Sequence, residues 1–176
     1  MPDALTHYIS SYLVSRAALK PKRAALAGLL PDLDALRAHR WATHSLVLAL
    51  ATAAPVLLAL RLAKSRHLRA AALVATLYAL HIILDVLTSP TPALWPLAPS
   101  LQVKIEVNGR ISTRGPALAA SAAVTTSPTD FTTKPYVEGP LVSETGLALA
   151  ATTLAVTAAE RAWGSEKAVR GRADGR

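Results

Sequence analysis

Two long runs of apolar residues dominate the middle of the chain. The first covers residues 44–63 and has Arg61, near its end, as its only full charge. The second covers residues 68–88 and carries His81 and Asp85 in its second half. Each run has about the 20 residues that a helix needs to cross roughly 30 Å of hydrocarbon. The pattern therefore predicts two membrane-spanning helices.

Three shorter or weaker segments also predict helices. Residues 5–19 would form a helix of roughly 22 Å, which barely spans a bilayer, and residues 24–30 are shorter still. We interpret these two segments as a helical hairpin or a re-entrant pair. Residues 141–163 are rich in Ala and Thr and contain Glu144 and Glu160. They predict either a third span or an amphipathic helix packed on the other two.

The segment between the second and third apolar runs, residues 89–140, is rich in Pro, Thr and Ser. Within it, apolar residues alternate with polar ones from Leu101 to Val107, which is typical of a strand. Asn108 and Gly109 follow, and this dipeptide is favoured in a two-residue type I′ turn. The sequence therefore predicts a small β-hairpin in this loop.

These patterns together predict an all-α integral membrane protein. The fold class is a small helical bundle with a short N-terminal helical hairpin and a small extracytoplasmic loop that contains the β-hairpin. Residues 117–134, after the predicted turn, show no period that indicates a further element. We expect one membrane domain at residues 1–163 and a basic, disordered tail at residues 164–176.

Composition and charge support a membrane environment. Hydrophobic residues make up 52% of the 176 residues and charged residues 17%, while 19 basic residues against 11 acidic ones give a net charge of +8. Much of the positive charge flanks the apolar runs, in the joint at residues 61–69 and in the C-terminal tail, so these parts are predicted to be cytoplasmic.

Since topology accounts for this charge and the tail lacks interleaved aromatic residues, nucleic-acid binding is disfavoured. No cysteine is present, which excludes thiolate metal sites and cysteine nucleophiles.

An imidazole and a carboxylate share one face of the second predicted span. His81 and Asp85 are four residues apart, and this spacing lets both side chains reach a single ion. An ionisable group inside a membrane costs about 2.5–3.5 kcal/mol, so such a pair usually marks a site or an ion path. The alternative is a buried His–Asp hydrogen bond that only stabilises the bundle.

A second polar cluster lies just before the first predicted span. Its ionisable members are Asp32, Asp34, His39, Arg40 and His44. If the topology holds, the first span begins at the same membrane face at which the second one ends, so the two polar clusters meet at one depth. His7, near the start of the N-terminal helix, can join from that side, whereas His67 lies in the basic joint and is excluded. Separately, the aspartates could be helix caps and the histidines solvated interfacial groups.

Imidazole and carboxylate ligands without thiolates suit zinc, manganese, iron or magnesium, and the share of histidine favours a transition metal. The candidates exceed the ligands of one ion, so either two ions bind or some members orient the others. We expect zinc first, with manganese or magnesium as alternatives. The candidate metal ligands are His7, Asp32, Asp34, His39, His44, His81 and Asp85.

Five separated motifs resemble the YdjM-type membrane-bound metal-dependent hydrolases over roughly residues 1–100. The resemblance implies a small helical membrane protein with a metal site and hydrolase activity. The chain departs from the family pattern at Trp41 and at residues 89–92, where glycine is common, and residues 98–140 show no match. The motifs are Thr6-His7, Pro31-Asp32-Leu33-Asp34, His39-Arg40, Thr43-His44-Ser45, and His81 to Asp85 followed by Leu94-Trp95-Pro96-Leu97.

The resulting hypothesis is a membrane-embedded hydrolase that cleaves an ester or phosphoester of a lipid or lipid-linked substrate with metal-activated water. Asp32 and Asp34 are the candidates for a bridging ligand or general base, and Arg40 for holding a substrate anion. The expected partners are membrane lipids and the substrate, and no oligomeric state is predicted. The alternative is a non-enzymatic membrane protein whose His/Asp cluster has a structural or ion-handling role.

Overall fold

The computed structural model describes residues 3–18, 25–36, 42–113, 115–131 and 141–173, with the backbone alone at 34–36, 112 and 162–173. Four α-helices, three short 3-10 helices and one two-stranded sheet make up this part of the chain. In chain order they are α1 (Ala4–Ala17), the 3-10 helices Ala25–Leu29, Pro31–Leu36 and Ala42–His44, α2 (Leu46–Leu62), α3 (Leu68–Thr88), β1 (Ser100–Ser112), β2 (Gly115–Ser127) and α4 (Glu144–Ala173).

Helices α2 and α3 form a hairpin, and α3 is the one helix in the described ranges that is both long and apolar enough to cross a membrane. The prediction that residues 44–63 also form a membrane-spanning helix is wrong, because the helix in this segment, α2, has only 17 residues. Ser45 ends the preceding turn and caps α2 by accepting a hydrogen bond from the Leu48 N–H at 3.2 Å. The N-terminal end of the apolar run is thus used for a cap and for the buried His44.

The two antiparallel strands show that the all-α fold class is wrong. Strands β1 and β2 pair along their whole length as a ribbon. The predicted turn is also misplaced, since Asn108 pairs with Ala119 and Gly109 with Leu118. The chain reverses between Ser112 and Gly115, which has a φ of 108°. Strand β2 is rich in Ala, a residue with low strand propensity. Its own sequence therefore does not indicate a strand, and the pairing with β1 is what defines it.

The base of the ribbon packs against the end of α3. Ile82, Val86 and Ala93 form a buried apolar cluster, and Leu101 and Val103 of β1 lie against it. From Lys104 to Thr126, the described side chains of the ribbon are exposed apart from Gly115 at the turn. The core of the molecule therefore lies around the C-terminal third of α3, where the polar cluster is also found.

Helices α1 and α4 pack in parallel, and polar contacts join them near the two ends of α1. At their starts, Ser143 donates a hydrogen bond to the Asp3 carboxylate. Thirteen residues further along α1, Arg16 donates to the Thr157 hydroxyl at 3.1 Å and forms an ion pair with Glu160. Helix α4 continues to Ala173, although a disordered tail is expected from residue 164, since this stretch is rich in the helix formers Ala, Glu, Lys and Arg.

Candidate metal centre

Four donor atoms from three parts of the chain meet at the C-terminal end of α3. Asp85 Oδ2 lies 3.4 Å from His44 Nε2 and 3.5 Å from His81 Nε2. Asp32 Oδ1 lies 3.6 Å from His44 Nε2 and 3.4 Å from His81 Nε2. Each carboxylate oxygen therefore faces both imidazole nitrogens. We call Asp32, His44, His81 and Asp85 the four-donor cluster.

The spacing within the four-donor cluster is compatible with ligands around a cation. Normal N–H···O bonds measure 2.7–3.2 Å, which is shorter than all four of these N···O distances. Four tetrahedral ligands at about 2.0–2.1 Å from zinc lie roughly 3.3–3.4 Å from one another. Three members of the four-donor cluster, Asp32, His44 and His81, form a group whose donor atoms lie within 4.8 Å of one another and that could hold a metal ion.

The tautomer of His81 supports the same conclusion. His81 Nδ1 lies 2.7 Å from the carbonyl oxygen of Gly28. Because a carbonyl can only accept, Nδ1 carries the proton of the neutral ring, and Nε2 presents a lone pair to the two carboxylates. Nε2 is buried and has no hydrogen-bond partner among the described residues. A cation or a proton at Nε2 resolves the mismatch, and with a cation the Gly28 carbonyl would orient the ligand in the way that is usual for metal-bound histidine.

Gly28 reaches this position through a close approach to α1. A Cβ at Gly28 would lie 1.8 Å from Ser11 Oγ and 2.7 Å from Ser11 Cβ. Only glycine therefore lets the first 3-10 helix pack against α1 at this distance. The close packing places the Gly28 carbonyl oxygen within hydrogen-bond distance of His81 Nδ1.

His7 is the fifth member of the site and lies on the other oxygen of Asp85. Its Nε2 is 3.4 Å from Asp85 Oδ1, and its ring stacks on His81 with 3.7 Å between centroids. The side chain is buried, and Nδ1 has no hydrogen-bond partner in the described part of the chain. His7, His81 and Asp85 form a second group whose donor atoms lie within 4.8 Å of one another. His81 belongs to this group and to the group with Asp32 and His44, and Asp85 contacts His7 through Oδ1 and His44 through Oδ2.

Asp32 is the one member of the four-donor cluster whose side chain is partly exposed. Its side chain is 32% exposed, whereas those of His44, His81 and Asp85 are at most 2% exposed. Burial acts to raise the pKa of the Asp32 carboxyl, but hydrogen bonds that His44 and His81 donate when their rings are protonated, as they can be without a cation, outweigh burial and lower the pKa well below the ordinary value. Asp32 is therefore a carboxylate at neutral pH, at the point where the site meets its surroundings.

Five of the predicted site residues come together, and three cannot be placed. The side chain of Asp34 lies outside the described residues, as do His39 and Arg40. His67 is exposed in the α2–α3 joint, away from the site. The residues brought together are His7, Asp32, His44, His81 and Asp85.

Sequence reasoning missed the supporting contacts of the site. The Gly28 carbonyl is one, and the Thr43 hydroxyl, 3.3 Å from His44 Nδ1, is another. Tyr78 adds a third by donating a hydrogen bond to the Thr43 carbonyl. Backbone carbonyls leave no signal in a sequence. Thr43 lies in the Thr43-His44-Ser45 motif, but the motif alone does not indicate its contact with the His44 ring.

The comparison with known families covers almost the whole chain. The model of the family described as YdjM inner membrane protein matches residues 1–164, well beyond the roughly 100 residues that the motifs covered. No curated protein and no solved structure matches significantly. The family is thus one of inner membrane proteins, and α3 is a helix long and apolar enough to cross a membrane. The chain belongs to the YdjM family.

Proposed function

We propose that this protein is a membrane-embedded, metal-dependent hydrolase that cleaves an ester or phosphoester of a lipid or lipid-linked substrate. The observation that carries the proposal is the four-donor cluster, in which two carboxylates and two buried imidazoles lie at N···O distances of 3.4–3.6 Å. These distances are longer than the roughly 2.7–3.2 Å of a normal N–H···O hydrogen bond and close to the separation of neighbouring ligands around one ion.

The four-donor cluster would hold the ion, with zinc favoured by its nitrogen and oxygen donors and its spacing. When bound, the ion supplies a Lewis acid that polarises an ester or phosphoryl oxygen and makes water nucleophilic near neutral pH. Asp85 joins the cluster to His7, which orients Asp85 or contributes to a second metal position. Gly28 keeps the His81 lone pair directed at the cluster.

Asp32 is the residue best placed to meet a substrate, because it is the one partly exposed member of the cluster. As a carboxylate it either remains a ligand or accepts a proton from the attacking water. Asp34 as a second carboxylate and Arg40 as the group that holds a substrate anion stay predictions. A lipid substrate follows from location, since the cluster lies near one end of the candidate span, with Asp85 three residues before the last residue of α3.

Hydrolysis of a lipid panel by the purified protein tests the proposal. The full chain, reconstituted in bilayers with zinc, manganese or magnesium, is expected to release headgroup or phosphate from at least one lipid. Asp85→Asn and His44→Ala should reduce the rate roughly 100-fold or more, since each removes a ligand. His67→Ala is the matched control, because this histidine is exposed and outside the site. Product release that is equal in all variants would contradict the proposal.

The alternative function is a metal site that only stabilises the fold. One observation favours it: the cluster supplies four protein donors, which is the full set of a closed structural zinc site. In that case the protein binds metal and loses stability when metal is removed, but no lipid is cleaved. The same panel, read together with metal content, separates the two functions.

A further inference from the structure

An apolar cavity of about 630 Å³ lies between α2 and α3. This volume is within the range of about 300–1,000 Å³ that is typical of small-molecule sites. Ala49, Ala53 and Val56 line it from α2, and Ala71, Ala75 and Ala79 from α3. The cavity exists because alanines on both helices leave space where larger side chains would close the gap.

The polar groups in the cavity wall are already engaged within the protein. The hydroxyl of Thr52 donates within its own helix, to carbonyls at 2.9 and 3.0 Å. The Tyr78 hydroxyl donates to the Thr43 carbonyl, and the Thr43 hydroxyl lies beside His44. A ligand that needs hydrogen bonds finds no available donor at these three residues. The wall therefore favours a hydrocarbon ligand.

One end of this cavity adjoins the four-donor cluster. Ala42 and Thr43 line the cavity, and the next residue is His44. From Leu46 to Leu57, which also line it, α2 rises roughly 17 Å, enough for an extended stretch of hydrocarbon chain. The cavity thus runs from the candidate metal centre along a helix that flanks the candidate membrane span.

We propose that this cavity binds one hydrocarbon chain of a membrane phospholipid and presents the adjoining ester or phosphoester group to the four-donor cluster. Presentation of the ester or phosphoester to the four-donor cluster rests on the proposed function. Binding of the hydrocarbon chain does not, because it needs neither metal nor hydrolysis. It narrows the substrate class to lipids with at least one chain that enters the cavity. Water-soluble phosphoesters are excluded as good substrates.

Photocrosslinking of the full chain in phospholipid vesicles tests the chain-binding site. The probe is a phosphatidylcholine with a diazirine near the end of one acyl chain. Crosslinks are expected on cavity residues such as Ala53, Val56 and Ala75 more than on Leu58 and Leu62, which are exposed and do not line the cavity. Equal labelling of cavity and outward positions would overturn the proposal. A disulfide between two copies of an Ala53→Cys variant in the same vesicles would overturn it too, because the cavity would then be an interface.

Filling the cavity gives the second arm of the test. Ala53→Trp should lower the crosslink yield in the cavity about tenfold, while Leu58→Trp, on the exposed side of the same helix, should leave it unchanged. Bound metal should stay at the wild-type level in both variants, which also reports that they fold. If Ala53→Trp does not fold, Ala53→Leu gives a graded version. Selective crosslinks without any hydrolysis refute the proposed function alone, whereas hydrolysis without selective crosslinks refutes the chain-binding site alone.

Discussion

At the scale of single residues, the site depends on one backbone carbonyl as much as on its ionisable side chains. The Gly28 carbonyl selects the His81 tautomer, and the contact of Gly28 with Ser11 sets the position of that carbonyl. Asp85 has a comparable role among the side chains, because its two oxygens face different histidines. A small change at Gly28 should therefore affect the site without removing a ligand.

Gly28→Ala tests this dependence. The new Cβ would overlap Ser11, so we expect a loss of about 1–3 kcal/mol in the free energy of unfolding. We also expect metal affinity to fall roughly 10- to 100-fold, because the His81 ring loses its orienting partner. Ser11→Gly removes both overlapping atoms and should restore much of the metal affinity in the double variant. Unchanged affinity in Gly28→Ala would show that the carbonyl does not position His81.

At the scale of elements, the ribbon and the α1–α4 pair each depend on a local feature that can be tested separately. The ribbon turn needs a backbone conformation that side chains disfavour. The helix pair shares a buried carboxylate at the starts of both helices.

Gly115→Ala should destabilise the ribbon by about 1–2 kcal/mol, because its φ of 108° is strained for any residue with a Cβ. Gly109→Ala is the matched control, since Gly109 lies in mid-strand and a Cβ there would meet no atom within 4 Å. Hydrogen exchange of the strand amides measures both effects. Faster exchange in Gly109→Ala and not in Gly115→Ala would instead support a turn at residues 108–109.

Asp3 should make the α1–α4 contact sensitive to acid. Burial acts to raise the pKa of Asp3, but hydrogen bonds from Ser143 and Thr6 outweigh it and lower the pKa from 3.8 to about 2. Since the folded pKa lies below the unfolded one, the contribution is complete above about pH 5 and is lost as pH falls toward 2. Its size is about 2 kcal/mol. Thermal unfolding of wild type and Asp3→Asn should differ most above pH 5 and converge near pH 2; a constant difference would contradict this linkage.

At the scale of the whole molecule, the basic α2–α3 joint and the ribbon are predicted to lie on opposite sides of the membrane. The chain contains no cysteine, so single cysteines introduced at Arg66 and at Ser121, both exposed, report their sides without background. We expect a membrane-impermeant thiol reagent to label Ser121→Cys from outside intact cells and Arg66→Cys only after lysis. Labelling of both from one side would overturn the predicted orientation.

Different parts of this fold depend on local and on long-range information. The apolar run at residues 68–88 is sufficient to predict α3, because its length and hydropathy need no partner. His81 and Asp85 were recognisable because they lie four residues apart in that run. Strand β2 was missed, since its alanines form a strand only through pairing with β1. The Gly28 contact was also missed, because it depends on a packing distance between two distant segments.

The metal content of the purified protein tests the central claim most directly. Elemental analysis of chain isolated without chelators should find at least one divalent transition metal ion per molecule. His81→Ala and Asp85→Ala should each lose most of this metal, and His67→Ala should retain it. Equal metal content in these three variants, or no metal binding by the wild type after zinc, manganese or magnesium is supplied, would contradict the account.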